Sequence, residues 1–293
     1  MKPQRSSVLA IALVMVGCSV DAVEPLGRRS QSIIGGDPSE PSEFMGTGML
    51  VVRGRMVCTA TLIAPDVGLT AAHCLKTPDF GTLGFTLDTD GSDGIENVTL
   101  LQFAHMHPDF DDRVDPYVDL AVRNDIGVFI LKSPVPDAPV EQIDEMGSDT
   151  VLDPGNTLAM CGYGWPSYTA GSFGLKRDAN VLVDRTDDFE FSTAPANPQP
   201  CNGDSGAPLF VDSPSGRRIV GVVSRAMGRS EMCDTGAIIT RVAPYAAWIA
   251  GASGDRSEGC NAGGTSSVLP LGALWAVFAF RAYRSRRRRG NPR

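Results

Sequence analysis

Apolar residues along the chain come in short blocks separated by glycine, proline and charged turns. The stretch MLVVRGRMVCTATLIA over residues 49–64 holds two β-rich runs about Arg53-Gly54-Arg55, the pattern of two strands joined by a hairpin. LAMCGYG at 158–164 and RIVGVVS at 218–224 are further apolar runs of strand length, flanked by glycine or polar turns. Helical periodicity is scarce. Its clearest case is APYAAWIA at 243–250, where Pro244 leads into Tyr245, Trp248 and Ile249 at helical spacing on one face. Many short strands with turn signals predict an all-β barrel or sandwich. Pro134, Pro136 and Pro139, followed by an acidic run to Asp149, mark the best internal boundary.

The two ends read as addresses and not as fold. Lys2 and Arg5 precede an apolar run from Val8 to Val16 and then Gly17-Cys18, the layout of a secretory signal. A cysteine directly after a small residue resembles a bacterial lipoprotein signal, with Cys18 as the site of lipidation. At the other end Cys260 precedes a glycine-rich stretch, an apolar run from Val268 to Phe280 and then Arg281, Arg284 and Arg286 to Arg289. The run is short for a span that needs ~20 residues, although arginines on one flank fit a cytoplasmic stop. A cysteine, an apolar stretch and a basic tail in this order resemble the myxobacterial C-terminal sorting tag. Residues 1–32 are therefore expected to be signal and propeptide, 33–250 the folded domain, and 251–293 linker and sorting segment.

Removing the ends changes the charge balance. The whole chain of 293 residues carries −8, whereas residues 33–259 hold 15 basic against 32 acidic side chains, a net −17. Such a surface repels nucleic acid and favours solubility outside the cell. With 42% hydrophobic residues the chain has ample material for a core, and its 32 glycines and 21 prolines break it into short elements.

The chemistry concentrates in QPCNGDSGAP at 199–208, where Ser205 stands between an aspartate and a glycine. A serine hydroxyl is a poor nucleophile unless a base takes its proton and a third group orients that base. The sequence has three histidines. His105 and His107 lie in FAHMHPDF, read as a loop-like acidic segment, whereas His73 ends the apolar run of LTAAHCL beside a cysteine. A lone histidine is ordinarily a satisfied core residue, but the presence of Ser205 favours His73 as the base.

LTAAHC, NDIGVFILKSPV and GDSGAP occur in the order His, Asp, Ser, with IIGG at 33–36 before them and RVAPYAAWI after. Over residues 33 to about 250 the chain resembles a trypsin-like (chymotrypsin-fold) serine endopeptidase. The resemblance implies two six-stranded antiparallel barrels with a short C-terminal helix, barrel one over about 33–140 and barrel two over about 150–240. It implies a triad of His73, Asp125 and Ser205. Asp119, in DLAV, mimics the motif of Asp125 in DIGV, but Asn124 before it and the unbroken VFIL after it select Asp125. Backbone N–H groups of Gly203 and Ser205 would hold the oxyanion, each such donor contributing about 2.7 to 4 kcal/mol in the transition state.

The resemblance further implies that Asp204 pairs with the α-amine released by a cut before Ile33. Ser32, not a basic residue, precedes that bond, and Arg28-Arg29 lies upstream, so a maturation protease is needed whose identity stays open. It pairs Cys58 with Cys74, closing a loop that contributes about 3 kcal/mol in the chain-entropy model, and Cys201 with Cys233. Cys161 matches no partner that is present; a buried, inert free thiol is the expectation and a redox role the weaker alternative. At the base of the primary pocket Gln199 replaces the aspartate that would select Arg or Lys, since an uncharged amide cannot balance a buried cation. Ser224, Arg225 and Ala226 form one wall and Gly236 or Ala237 the other, so small or medium uncharged side chains are expected.

Asp88, Asp90, Asp93 and Glu96 in LDTDGSDGIENV gather oxygen donors where the family has its calcium loop, but Asp93 stands where an EF-hand needs glycine. A solvated acidic turn is the expectation, calcium the weaker alternative, and no cofactor is required. The expected partners are protein or peptide substrates and a maturation protease; a monomer is expected, exported to the cell surface, outer membrane or medium, meeting a membrane only through its ends. The competing functional class is a catalytically silent binding or adhesion protein on the same scaffold.

Overall fold

The computed structural model describes residues 33, 36–92, 94–115, 120–147, 149–165, 174–195, 198–214, 216–228 and 233–256. Both terminal segments, with Cys18 and Cys260, lie outside the described residues, as do Asp93 and Asp119.

The first barrel follows the short strand β1 (Asp37–Pro38) and consists of β2 (Thr47–Val52), β3 (Arg55–Ala64), β4 (Val67–Thr70), β5 (Leu83–Thr86), β6 (Thr99–Met106) and β7 (Gly127–Leu131). It closes in the order β2-β3-β4-β7-β6-β5, all pairs antiparallel. Arg53 and Gly54, both at positive φ, make the two-residue turn between β2 and β3, as the hairpin pattern predicts. FAHM belongs to β6, so His105 is a strand residue and not in a loop. The error has a physical source: β6 is only partly buried, and its polar and charged surroundings mask the strand pattern.

The second barrel consists of β9 (Thr157–Gly162), β10 (Arg177–Thr186), β11 (Glu190–Thr193), β12 (Pro208–Ser213), β13 (Gly216–Ala226) and β14 (Ala237–Arg241). Its ring runs β9-β10-β11-β14-β13-β12 and returns to β9. β1 adds to β10, and β8 (Gln142–Ile143), in the segment between the barrels, runs parallel to β13. Two closed six-stranded antiparallel barrels result, followed by the short helix α2 (Ala246–Gly254).

Continuous apolar strands are required because a strand between the barrels has no solvent face. In β7, Phe129 points into barrel one with Leu50, Leu62 and Phe85, while Val128 joins a core between the barrels with Phe210, Ile219 and Val222. In β9, Leu158 and Met160 fill barrel two, while Cys161 enters the inter-barrel core. Tyr245 and Ile249 bring the start of α2 into that same core, which fixes one barrel against the other. His107 stands edge-on to Tyr245 and Trp248, at ring distances of 5.1 and 5.0 Å.

Candidate active site

His73 lies on a single helical turn, α1 (Ala72–Leu75), directly after β4. The Cys58–Cys74 disulfide fastens that turn to β3. Asp125 enters from the turn before β7, where Asn124 adopts φ +52°. That turn is held from several sides: Asn124 Nδ2 donates to the Asp109 carbonyl at 2.9 Å and Tyr245 Oη donates to Asn124 Oδ1 at 2.8 Å. Thr240 Oγ1, on β14, donates to the Asp125 carbonyl at 3.1 Å, so barrel two grips the residue as well.

The Asp125 carboxylate is fully buried and completely engaged. Oδ1 accepts the His73 backbone N–H at 2.9 Å, and Oδ2 lies 2.8 Å from the His73 Nδ1. Ser224 Oγ donates to the same Oδ2 at 2.7 Å, and the Arg123 guanidinium stands 4.0 Å away. Burial alone would raise this carboxyl, but electrostatic attraction to the His73 ring and the hydrogen bonds from His73 and Ser224 outweigh it and hold the group below the usual carboxylate range. An imidazole anchored at Nδ1 by an ionised carboxylate presents Nε2 as a proton acceptor.

Ser205 lies in the turn before β12. Its carbonyl accepts the Thr59 N–H at 2.9 Å, and the next residue, Gly206, packs so closely that a Cβ there would stand 2.1 Å from Thr70 Oγ1 and 3.1 Å from the Ala71 nitrogen. The serine is thus seated against the chain two residues before His73. Among the described residues its hydroxyl makes no hydrogen bond, and His73 Nε2 has Cys74 Sγ at 3.7 Å.

Gly203 has φ +96°, a conformation that glycine adopts without strain. Thr59 Oγ1 donates to the Gly203 carbonyl at 3.0 Å, which turns that peptide's carbonyl towards barrel one. Among the described residues the N–H groups of Gly203 and Ser205 are unclaimed, as donors for a developing oxyanion must be.

Asp204 points the other way, into the protein, and is fully buried. Its carboxylate accepts from Gly164 N–H at 2.8 Å and Cys201 N–H at 2.9 Å. A Cβ at Gly162 or Gly164 would come within 2.1 or 2.4 Å of its oxygens, so only glycines fit beside it. No cation faces it among the described residues, and burial pushes its carboxyl up to about 7 against the pull of the backbone amides. Ile33 is equally buried, packed into the barrel-two core with φ +46°.

Beside Ser205 lies a cavity of about 50 Å³ lined among others by Val223, Ala226, Cys233 and Ala237. The Cys201–Cys233 disulfide frames it. Gln199 is buried and does not line this cavity; its Oε1 accepts the Gly236 N–H at 2.8 Å. The hydroxyl of Ser224 likewise turns away, to Asp125. Arg225 contributes to the cavity wall, but its guanidinium is buried against Glu190. Neither that contact nor the bond from Ser224 to Asp125 was anticipated from sequence, because each depends on strands far apart in the chain. A strand seen in isolation places Glu190 at the surface.

Remaining groups are otherwise occupied. Asp88 caps Glu96 N–H at 2.7 Å and bonds Asn97, and Asp90 accepts from Ser92, so these carboxylates serve their own turn. Cys161 is a free, fully buried thiol, pushed upward by burial and so kept unreactive. Cys58, Cys74 and His73 lie within ligand distance of one another, but both sulfurs are spent in the disulfide.

Residues 33–249 match the family model Trypsin, about three quarters of the chain. The chain belongs to the trypsin family. It is 26% identical over 241 residues to brachyurin of Leptuca pugilator, covering 74% of this chain and 96% of that protein. It is also 26% identical over 228 residues to trypsin of Saccharopolyspora erythraea, covering 73% and 94%. Mouse kallikrein-11 is 28% identical over 216 residues, covering 68% of this chain and 74% of the relative. This trypsin-family chain is a serine protease whose substrates are proteins or peptides.

Proposed function

We propose that this trypsin-family protein is an exported serine endopeptidase that works through Ser205, His73 and Asp125 and is switched on by a cut before Ile33. The observation that carries this reading is the fully buried Asp125, bonded twice to His73, with Ser205 seated by its carbonyl on Thr59 and by Gly206 against Ala71, two residues before His73. Ser205 Oγ attacks the scissile carbonyl carbon while His73 Nε2 takes its proton, and the carbonyl oxygen gathers negative charge before the N–H groups of Gly203 and Ser205. Collapse of the tetrahedral adduct expels the amine, which takes the proton from His73 and leaves an ester on Ser205. Water, deprotonated by the same imidazole, hydrolyses the ester. Asp125 keeps the imidazole in its productive tautomer and balances its charge throughout.

Activation follows from Asp204. A buried carboxylate bonded only to neutral amides carries an unmet electrostatic cost, which a freed Ile33 α-amine would relieve by ion pairing. The small cavity beside Ser205, walled by the methyls of Ala226 and Ala237 and, among the described residues, lined by no carboxylate, fits a small uncharged side chain. Export rests on the signal-like and sorting-like termini; no helix among the described residues is long and apolar enough to cross a membrane.

The test uses the full chain with a specific protease site engineered immediately before Ile33. Hydrolysis of a mixed peptide library should rise at least about tenfold on cutting, and the rise should vanish in Asp204→Asn. Equal activity before and after the cut would remove the activation step.

A further inference from the structure

β11 and β13 both pair with β14, and they bury an ion pair that reaches past it. Arg225 Nη1 and Nη2 donate to Glu190 Oε1 and Oε2, both at 2.8 Å, with side chains only 3% and 1% exposed. A bidentate fork of this kind fixes the plane of the guanidinium as well as its distance. Both charges leave water to form it, so such a pair is a poor source of net stability, and its geometry is the property left to explain.

That geometry converges on Asp125. The register of β13 against β14 shifts between Val223 and Arg225, and the irregularity re-aims the side chains at this point so that Ser224 and Arg225 meet. Arg225 Nη1 lies 3.3 Å from Ser224 Oγ and donates to it, which leaves the hydroxyl's own hydrogen for Asp125 Oδ2 at 2.7 Å. The pair also grips Ala121, four residues before Asp125, from both sides of the residue. The Ala121 N–H donates to Glu190 Oε2 at 3.0 Å, and its carbonyl accepts from Arg225 Nη2 at 3.3 Å. One ion pair therefore sets the direction of the Ser224 hydroxyl and the path of the chain into Asp125.

We propose that Glu190 and Arg225 are positioning residues of the hydrolytic site. They act on the Asp125 carboxylate through Ser224 and Ala121, and so on the imidazole that it holds. The role rests on the reading of His73, Asp125 and Ser205 as the hydrolytic triad.

The experiment measures kcat per fluorophosphonate-titrated site in the full chain cut before Ile33, for the parent, Arg225→Met, Ser224→Ala and the combination of the two. Arg225→Met should lower kcat about tenfold with KM changed less than about threefold, and in the Ser224→Ala background, where only the Ala121 route remains, its effect on kcat should be at least about twofold smaller. An equal loss in both backgrounds would overturn the proposal, as would an unchanged kcat per site with a loss only in Tm or in titratable fraction. If Arg225→Met yields no titratable sites, Glu190→Gln combined with Arg225→Met removes both charges and leaves neither buried alone. A tenfold lower kcat in that variant supports positioning, and an unchanged kcat overturns it. A parent chain that takes no label would instead refute the hydrolytic reading on which the role depends.

Discussion

Asp125 holds His73 at two points, the ring Nδ1 at 2.8 Å from Oδ2 and the backbone N–H at 2.9 Å from Oδ1. The two contacts fix both the tilt of the imidazole and its tautomer. Asp125→Asn can preserve the shape, but its amide donates where the ring also donates. The expected loss is on the order of 10⁴ in kcat with little change in fold, read from steady-state kinetics alongside circular dichroism.

Asp204 makes the stability of the uncut chain depend on pH in a defined direction. The folded chain keeps a proton up to about 7 on a carboxyl whose ordinary value is 3.8. Between these values the folded state binds more protons than the unfolded state, so stability falls as the pH rises and the loss is complete above the folded-state value. The Tm of the uncut chain should therefore drop from pH 4 to pH 7 more steeply than that of Asp204→Asn. Parallel curves for the two proteins would contradict the burial argument.

The cavity beside Ser205 measures about 50 Å³, with Ala226 in its wall. A library should show residues of alanine to valine size preferred over Arg and Lys at the cleaved bond. Ala226→Gly removes a methyl from the wall and should shift the kcat/KM ratio towards larger side chains by about 10- to 200-fold, the range that one methylene is worth in such a pocket.

The disulfide between Cys58 and Cys74 fastens the short turn that carries His73. Replacing both cysteines by serine should cost about 2 to 5 kcal/mol in denaturant unfolding and lower kcat. Cys161, fully buried, should react with a thiol reagent only after unfolding.

The candidate site residues are proposed from chemistry written in local motifs: the unbroken strand after Asp125 favours it over Asp119, and the glycines around Ser205 mark the serine. The all-β class was legible because short apolar blocks alternate with turn residues. Long-range geometry was not. The hydroxyl of Ser224 is committed to Asp125 because β13 is irregular at that point, and Glu190 is buried because Arg225 arrives from another strand. The strand at His105 is not legible because a half-buried strand with polar neighbours carries little periodicity.

The proposed hydrolysis stands or falls on Ser205 as the nucleophile. The most direct test is intact and peptide-level mass spectrometry after a fluorophosphonate is added to the chain cut before Ile33. One adduct per molecule is expected, located on the peptide containing Ser205 and absent from Ser205→Ala. A folded, cut chain that takes no adduct, or takes it on another residue, would contradict it.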